Sequence, residues 1–262
     1  MTRPLLHFSH ANGFPAPCYR AFLAPLEARF EVRHIERLGH DPAHPVLDGW
    51  HALADQLIAA LAGHGRPAIL VGHSLGAYLS LRAAVRRPDL VRGVVLLDAP
   101  VLSPFKGGAV ALLKRLGVAD AISPAPGTRK RRREWPSPEA ALAHFRSKPV
   151  FRRFDPRCLE DYVRHGTEQV DGVTRLRFDP EVEYRIYRTM PHDLARDAPL
   201  LRVPAGLLVG QRSEIARRVG LGFSRRWMKV GQTPGGHLFP FQYPETSAQA
   251  VLHLLGDLGL AH

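Results

Sequence analysis

The chain has 262 residues, 45% of them apolar, which is enough for one α/β domain with an insertion and excludes wholesale disorder. Its 36 Lys and Arg outnumber 24 Asp and Glu, a formal charge of +12, but no helix-turn-helix, zinc-finger or RNA-binding signature accompanies the excess, so no nucleic-acid partner is expected. Apolar runs such as Val94-Val95-Leu96-Leu97 are strand-sized rather than membrane-spanning, and the opening residues lack a signal-peptide pattern, so the default expectation is a cytoplasmic protein with no membrane partner.

In chain order, Leu5 to Ser9 reads as a short buried strand running into a Gly/Pro-rich turn, His10 to Pro15. Helical spacing over Tyr19 to Ala28 precedes an alternating stretch, Phe30 to Ile35. Trp50 to Leu61 carries an apolar stripe at Leu53, Leu57, Ile58 and Leu61, ended by Gly63 and Gly65. The next pair is a strand, Ala68 to Gly72, and a helix, Leu75 to Val85. A further strand, Val91 to Leu97, ends at Asp98-Ala99-Pro100. Strands alternating with helices over short connections predict a parallel sheet with helices on both faces.

The rhythm breaks from about Ser103 to Pro199, a Pro- and Arg-rich stretch with helical patches at Val110 to Leu116, Glu139 to Phe145 and Leu159 to Gly166, and a hairpin-like piece at Asp171 to Phe178. An insert of that length is expected to form a lid, because long structureless loops are uncommon. The core is then 1–102 and 200–262, with 103–199 inserted as a mainly helical cap. The strand rhythm resumes at Ala205 to Val209 and again at Trp227 to Val230, and a helix closes the chain from about Glu245 to Leu258.

Gly72-His73-Ser74-Leu75-Gly76 fits Gly-x-Ser-x-Gly between a predicted strand and a predicted helix. A sharp strand-to-helix turn exposes the serine hydroxyl, and the flanking glycines relieve crowding against it. Ser74 is therefore the candidate nucleophile. A serine needs a base, and among 14 histidines His237, in the turn Gly235-Gly236-His237 after the last strand, is best placed. His73 is expected to point away from the site, and His7 and His10 to be structural. The third member should be an acid after a strand, and Asp98 and Glu214 both qualify. The oxyanion donors are expected to be the backbone N–H groups of Leu75 and Phe14. Cys18 and Cys158 read as reduced structural thiols, no His/Asp/Glu cluster has metal-ligand spacing, and no cofactor is expected.

These residues resemble the α/β-hydrolase superfamily over nearly the whole chain. His10 to Pro15 is similar to its oxyanion loop, with Asn12 where His is usual, Gly72 to Gly76 to its nucleophile elbow, and Gly236 to Pro240 to its histidine loop. The insert after Leu97 resembles its cap domain. The family's usual acid position is occupied here by Ser213, and a variant pattern that puts the acid next favours Glu214 over Asp98. The usual leading hairpin is missing, which implies about six strands. The resemblance implies a serine hydrolase of carboxylic esters or thioesters, with a small-molecule substrate shaped by the cap. C–C bond hydrolase, lactonase, amidase and acyltransferase chemistry, or a non-catalytic receptor, are alternatives on the same fold. The Asp-nucleophile epoxide hydrolases and dehalogenases are disfavoured by Ser74. The basic run Arg129 to Arg133 is expected to be a solvated cap surface, with attraction of anionic substrates as the alternative.

Overall fold

The computed structural model describes residues 3–118 and 125–261; positions 119–124 of the expected insertion lie outside them. The central sheet is built from β1 (Leu5–Ser9), β2 (Glu31–His34), β3 (Ala68–His73), β4 (Val91–Leu97), β8 (Ala205–Gly210) and β9 (Lys229–Thr233). Its six strands run in the order β2-β1-β3-β4-β8-β9, and every pairing is parallel. The inner strands β1, β3 and β8 are buried along their whole length, as expected where helices cover both faces. The edge strand β2 carries Glu31, Arg33 and His34 and leaves its end exposed, which discourages pairing with another chain. The last strand begins at Lys229 instead of Trp227; Trp227 is instead half-exposed just ahead of it.

Helices α1 (Arg20–Glu27) and α11 (Pro244–Asp257) pack on one face of the sheet, and α2 (His51–Ala62) and α3 (Leu75–Arg86) on the other. Between β4 and β8 the chain forms α4 (Pro104–Arg115), α5 (Ala125–Arg129), β5 (Glu134–Trp135), α6 (Pro138–Ser147), α7 (Pro156–Gly166), β6 (Thr167–Val170), β7 (Val173–Leu176) and α8 (Pro180–Arg188). Four of these helices begin alike. Ser103, Ser137, Asp155 and Asp179 each accept a hydrogen bond from a first-turn amide, and Pro follows each as the first helical residue. Helix α4 consequently starts six residues before the apolar spacing suggests, and α8 forms where spacing gives no signal. The hairpin β6–β7 turns at Asp171-Gly172, both with positive φ (+50° and +79°), the geometry of a tight two-residue turn.

This intervening segment shares one core with the sheet. Phe14, in the turn after β1, meets Tyr162 of α7 at 5.2 Å between ring centroids and Phe241 of α10 (Phe239–Gln242) at 5.0 Å, and Phe154 stacks on Phe241 at 4.8 Å. Each such pair contributes roughly 0.5–1.5 kcal/mol beyond the area it buries. Cys18 and Cys158 are both unpaired and buried, and burial pushes the Cys158 thiol up to about 12, so neither is an activated thiol.

Three histidines are buried in and just after the first and third strands. Burial holds His7 at about 3, His10 at about 4 and His73 at about 3, against an ordinary value of 6.5. Below pH 6.5 the unfolded chain therefore binds protons that the folded chain refuses. The stability these rings contribute is complete above about 6.5 and is lost as the pH falls toward 4. The urea midpoint should drop steadily over that window; a flat profile between pH 6.5 and 4 would contradict neutral buried rings.

Candidate active site

Ser74 joins β3 to α3 with φ +52° and ψ −109°, a conformation that costs a non-glycine residue about 1–3 kcal/mol. Backbone hydrogen bonds on both sides hold it there. Its N–H donates to the Leu97 carbonyl at 3.1 Å, and its carbonyl accepts from the Ala77 N–H at 3.1 Å. The Gly76 N–H donates to the His10 carbonyl at 3.1 Å, which draws the start of α3 against the end of β1. The approach is so close that a Cβ on Gly76 would lie 2.1 Å from the Ser9 carbonyl oxygen, and one on Gly72 would lie 2.3 Å from the Gly76 carbonyl oxygen. As the first residue of α3, Leu75 has no helical carbonyl behind it to bond, so its N–H stays available beside the serine.

His237 lies in the loop after β9, half-buried, and its Nδ1–H donates to Asp98 Oδ2 at 2.8 Å. Asp98 follows β4 with φ +49° and is almost wholly buried. Its Oδ1 accepts from the Gly210 N–H at 3.0 Å, and its Oδ2 also accepts from the Ser213 hydroxyl at 2.6 Å. Burial works against the charged carboxyl, but the hydrogen bond and charge of His237, with Ser213 and Gly210, outweigh it and hold Asp98 below the usual carboxylate range. Glu214, the acid favoured from the sequence pattern, is not at this site. It starts α9 (Glu214–Val219), points to solvent and pairs with Arg217 one turn on. The physical reason is strand order. β4 and β8 are neighbours, so their ends lie side by side, and the hydroxyl at Ser213 donates to the carboxylate supplied by β4.

A second buried network ties the loops together. The Ala11 N–H donates to the Tyr19 hydroxyl at 3.1 Å, which donates to His73 Nδ1 at 2.7 Å. His73 Nε2–H in turn donates to the His237 carbonyl at 2.9 Å. His73 thus points away from the cavity, as expected, but carries the backbone of His237. The Phe14 amide does not fit its expected place as an oxyanion donor. It donates to the Ala11 carbonyl at 3.1 Å, closing a turn whose third residue, Gly13, has φ +80°. In that turn the amides of Asn12 and Gly13 have no acceptor among the described residues, and Asn12 lines the same cavity as Ser74 and His237. The Asn-Gly pair at the two middle positions was the available signal, since such a turn engages the following amide.

The sequence model of the alpha/beta hydrolase family matches residues 5–250. The chain belongs to this family. Among curated proteins, a 2-(acetamidomethylene)succinate hydrolase of Mesorhizobium japonicum is 40% identical over 101 residues, 36% of this chain and 35% of that protein; the matched stretch spans about a third of the relative's length. Among solved structures, E-2-(acetamidomethylene)succinate hydrolase superposes with a TM-score of 0.78 at 23% identity, over 97% of this chain and 92% of that one. An esterase of M. tuberculosis gives 0.72 at 22% identity, over 98% and 86%. At these identities the superpositions speak for the fold.

In this family member Ser74 and His237 open into a cavity of about 600 Å³. Phe14, Phe145 and Phe151 make part of its wall apolar, and the segment between β4 and β8 supplies Lys130, Arg131, Arg132 and Lys148. The run Arg129 to Arg133 is thus not simply a solvated face. Arg129 pairs with Glu181 and lies 3.9 Å over the Tyr184 ring. Arg131 pairs with the buried Glu183 and donates to the Tyr162 hydroxyl at 2.6 Å. Arg132 donates to the Glu134 carbonyl at 2.7 Å and reaches over the Trp135 ring. Removing all the charges of the run would leave Glu183 buried without its partner, a change expected to destabilise the fold itself. Among the described residues no group of three or more His, Cys, Asp or Glu could hold a metal ion, and no helix is long and apolar enough to cross a membrane.

Substituting Gly76 tests the elbow's close approach. Gly76→Ala should cost about 3 kcal/mol or more in urea unfolding, because the clash is with backbone that cannot turn aside. A variant within 1 kcal/mol of the parent would contradict the contact between α3 and β1.

Proposed function

We propose that the chain hydrolyses carboxylic esters or thioesters of small molecules through an acyl-enzyme on Ser74. The observation that carries this reading is the 2.8 Å bond from His237 to Asp98 beside a serine held at positive φ. Asp98, as a carboxylate, can only accept, so it fixes the proton on Nδ1 and leaves Nε2 of His237 as the base. His237 Nε2 takes the Ser74 proton as Oγ attacks the carbonyl carbon. The oxyanion is met by the amides of Leu75 and Asn12, with the dipole of α3 adding to the first. The tetrahedral intermediate collapses, and His237 returns the proton to the departing alcohol or thiol. Water, deprotonated by the same ring, then releases the acid and restores Ser74. Residues 103–199 act as the cap that shapes the pocket.

Amide or C–C bond cleavage is the second reading. It is favoured by the partial match to 2-(acetamidomethylene)succinate hydrolase and needs the same nucleophile, base and donors. A panel of matched ester, thioester and amide substrates separates the two by relative kcat/KM.

A fluorophosphonate probe should label Ser74 and give no label in Ser74→Ala, with the fold unchanged by circular dichroism. Asp98→Asn should lower kcat/KM for 4-nitrophenyl butyrate by roughly 10³–10⁴-fold, whereas Glu214→Gln should change it by less than about threefold. An unlabelled wild-type protein would remove the nucleophile assignment, and the reverse order of the two acid variants would move the acid to α9.

A further inference from the structure

The cavity in front of Ser74 has walls of two kinds. The reacting groups, Ser74 and His237, come from the strand ends. Most of the remaining lining comes from residues 127–151 and from Glu183 and Tyr187 of α8, and it carries four cations, Lys130, Arg131, Arg132 and Lys148, against one carboxylate, Glu183. That carboxylate is already engaged, since it accepts from Arg131. Arg132 is partly engaged by the Glu134 carbonyl. The side chains of Lys130 and Lys148 form no ion pair or hydrogen bond among the described residues. A chain with 12 more bases than acids must leave some unpaired, so unpaired lysines alone mean little. Their placement is what matters. Elsewhere in the same segment several basic side chains find acids: Arg129 with Glu181, Arg175 with Glu134, Arg177 with Glu36. Lys130 and Lys148 bring unpaired charge into the cavity of Ser74, beside apolar walls that sharpen its field.

We propose that this hydrolase acts on anionic substrates, small carboxylic esters, thioesters or amides that bear a second, free carboxylate, with Lys130 and Lys148 receiving that group across the cavity from Ser74. The inference rests on the hydrolase reading above and narrows its substrate class. Arg131 is a fixed part of the same wall. Its bonds to Glu183 and the Tyr162 hydroxyl hold it in place, and it adds positive potential without needing to reorganise. The phenylalanine rings Phe145 and Phe151 give the chain between the two carbonyl groups an apolar surface to lie on.

The test compares mono-4-nitrophenyl succinate with 4-nitrophenyl butyrate, esters of similar size that differ in the terminal carboxylate. The wild-type ratio of kcat/KM, anionic over neutral, should be roughly tenfold or more at low ionic strength and should fall as salt rises. In K130Q/K148Q the ratio should drop toward one and lose its salt dependence. A wild-type ratio at or below one, or a ratio that survives the double substitution, overturns the proposal while leaving the hydrolase intact. Should neither ester turn over and Ser74 resist a fluorophosphonate, the hydrolase reading fails separately. Calorimetric titration with succinate then decides the anion site: saturable binding lost in K130Q/K148Q supports it, and no binding to the wild-type protein overturns it.

Discussion

One buried carboxylate organises this molecule's candidate site. Asp98 accepts three hydrogen bonds, from the Gly210 amide, the Ser213 hydroxyl and His237 Nδ1–H. Those donors belong to the end of β8, the loop after it, and the loop after β9. Burying a charge is costly unless it is paired and hydrogen-bonded, so the three segments are held to Asp98 as firmly as Asp98 is held to them. The residue sits at φ +49°, and its own amide donates to the Leu208 carbonyl at 2.8 Å, which fixes the carboxylate toward β8. The His237 ring is thereby placed by the sheet and not by loop preference alone.

Ser74 is positioned by a different constraint, backbone packed on backbone. Gly76 lets the start of α3 approach the end of β1, and Gly72 lets it approach β3, more closely than any side chain permits, with Ser74 held between them at positive φ. The Tyr19–His73 network links the two arrangements. It runs from the Ala11 amide, in the turn beside the oxyanion position, to the carbonyl of His237. Because His73 stays neutral at ordinary pH, the chain of donors keeps one direction, and the residue next to Ser74 holds the backbone of His237.

Much of this was legible in the sequence, for physical reasons. Continuous apolar runs such as Ala68 to Val71 announce parallel inner strands, and glycines flanking Ser74 and preceding His237 mark where backbone must turn or approach closely. Which carboxylate meets His237 was not legible, because Asp98 and Glu214 both follow strands and the contact depends on how the strand ends come together. The contact of Asp98 with His237 arises where the ends of β4 and β8 meet, a long-range property with no local signature. The Phe14 amide, expected from the sequence as an oxyanion donor, is engaged for a local reason, the turn at Ala11 to Phe14. The helices between β4 and β8 were underestimated where apolar spacing was the guide, although Ser-Pro and Asp-Pro at their starts were in plain view. Nothing local indicates that Lys148, on the far side of α6 from Lys130, shares its cavity.

The central claim is that His237 is oriented by Asp98. Proton NMR of the wild-type protein in water reads it most directly, because an Nδ1–H shared with a buried carboxylate resonates far downfield of other amide and ring protons. The account predicts one such signal, lost in Asp98→Asn and kept in Glu214→Gln. A signal that survives Asp98→Asn and disappears in Glu214→Gln would contradict it.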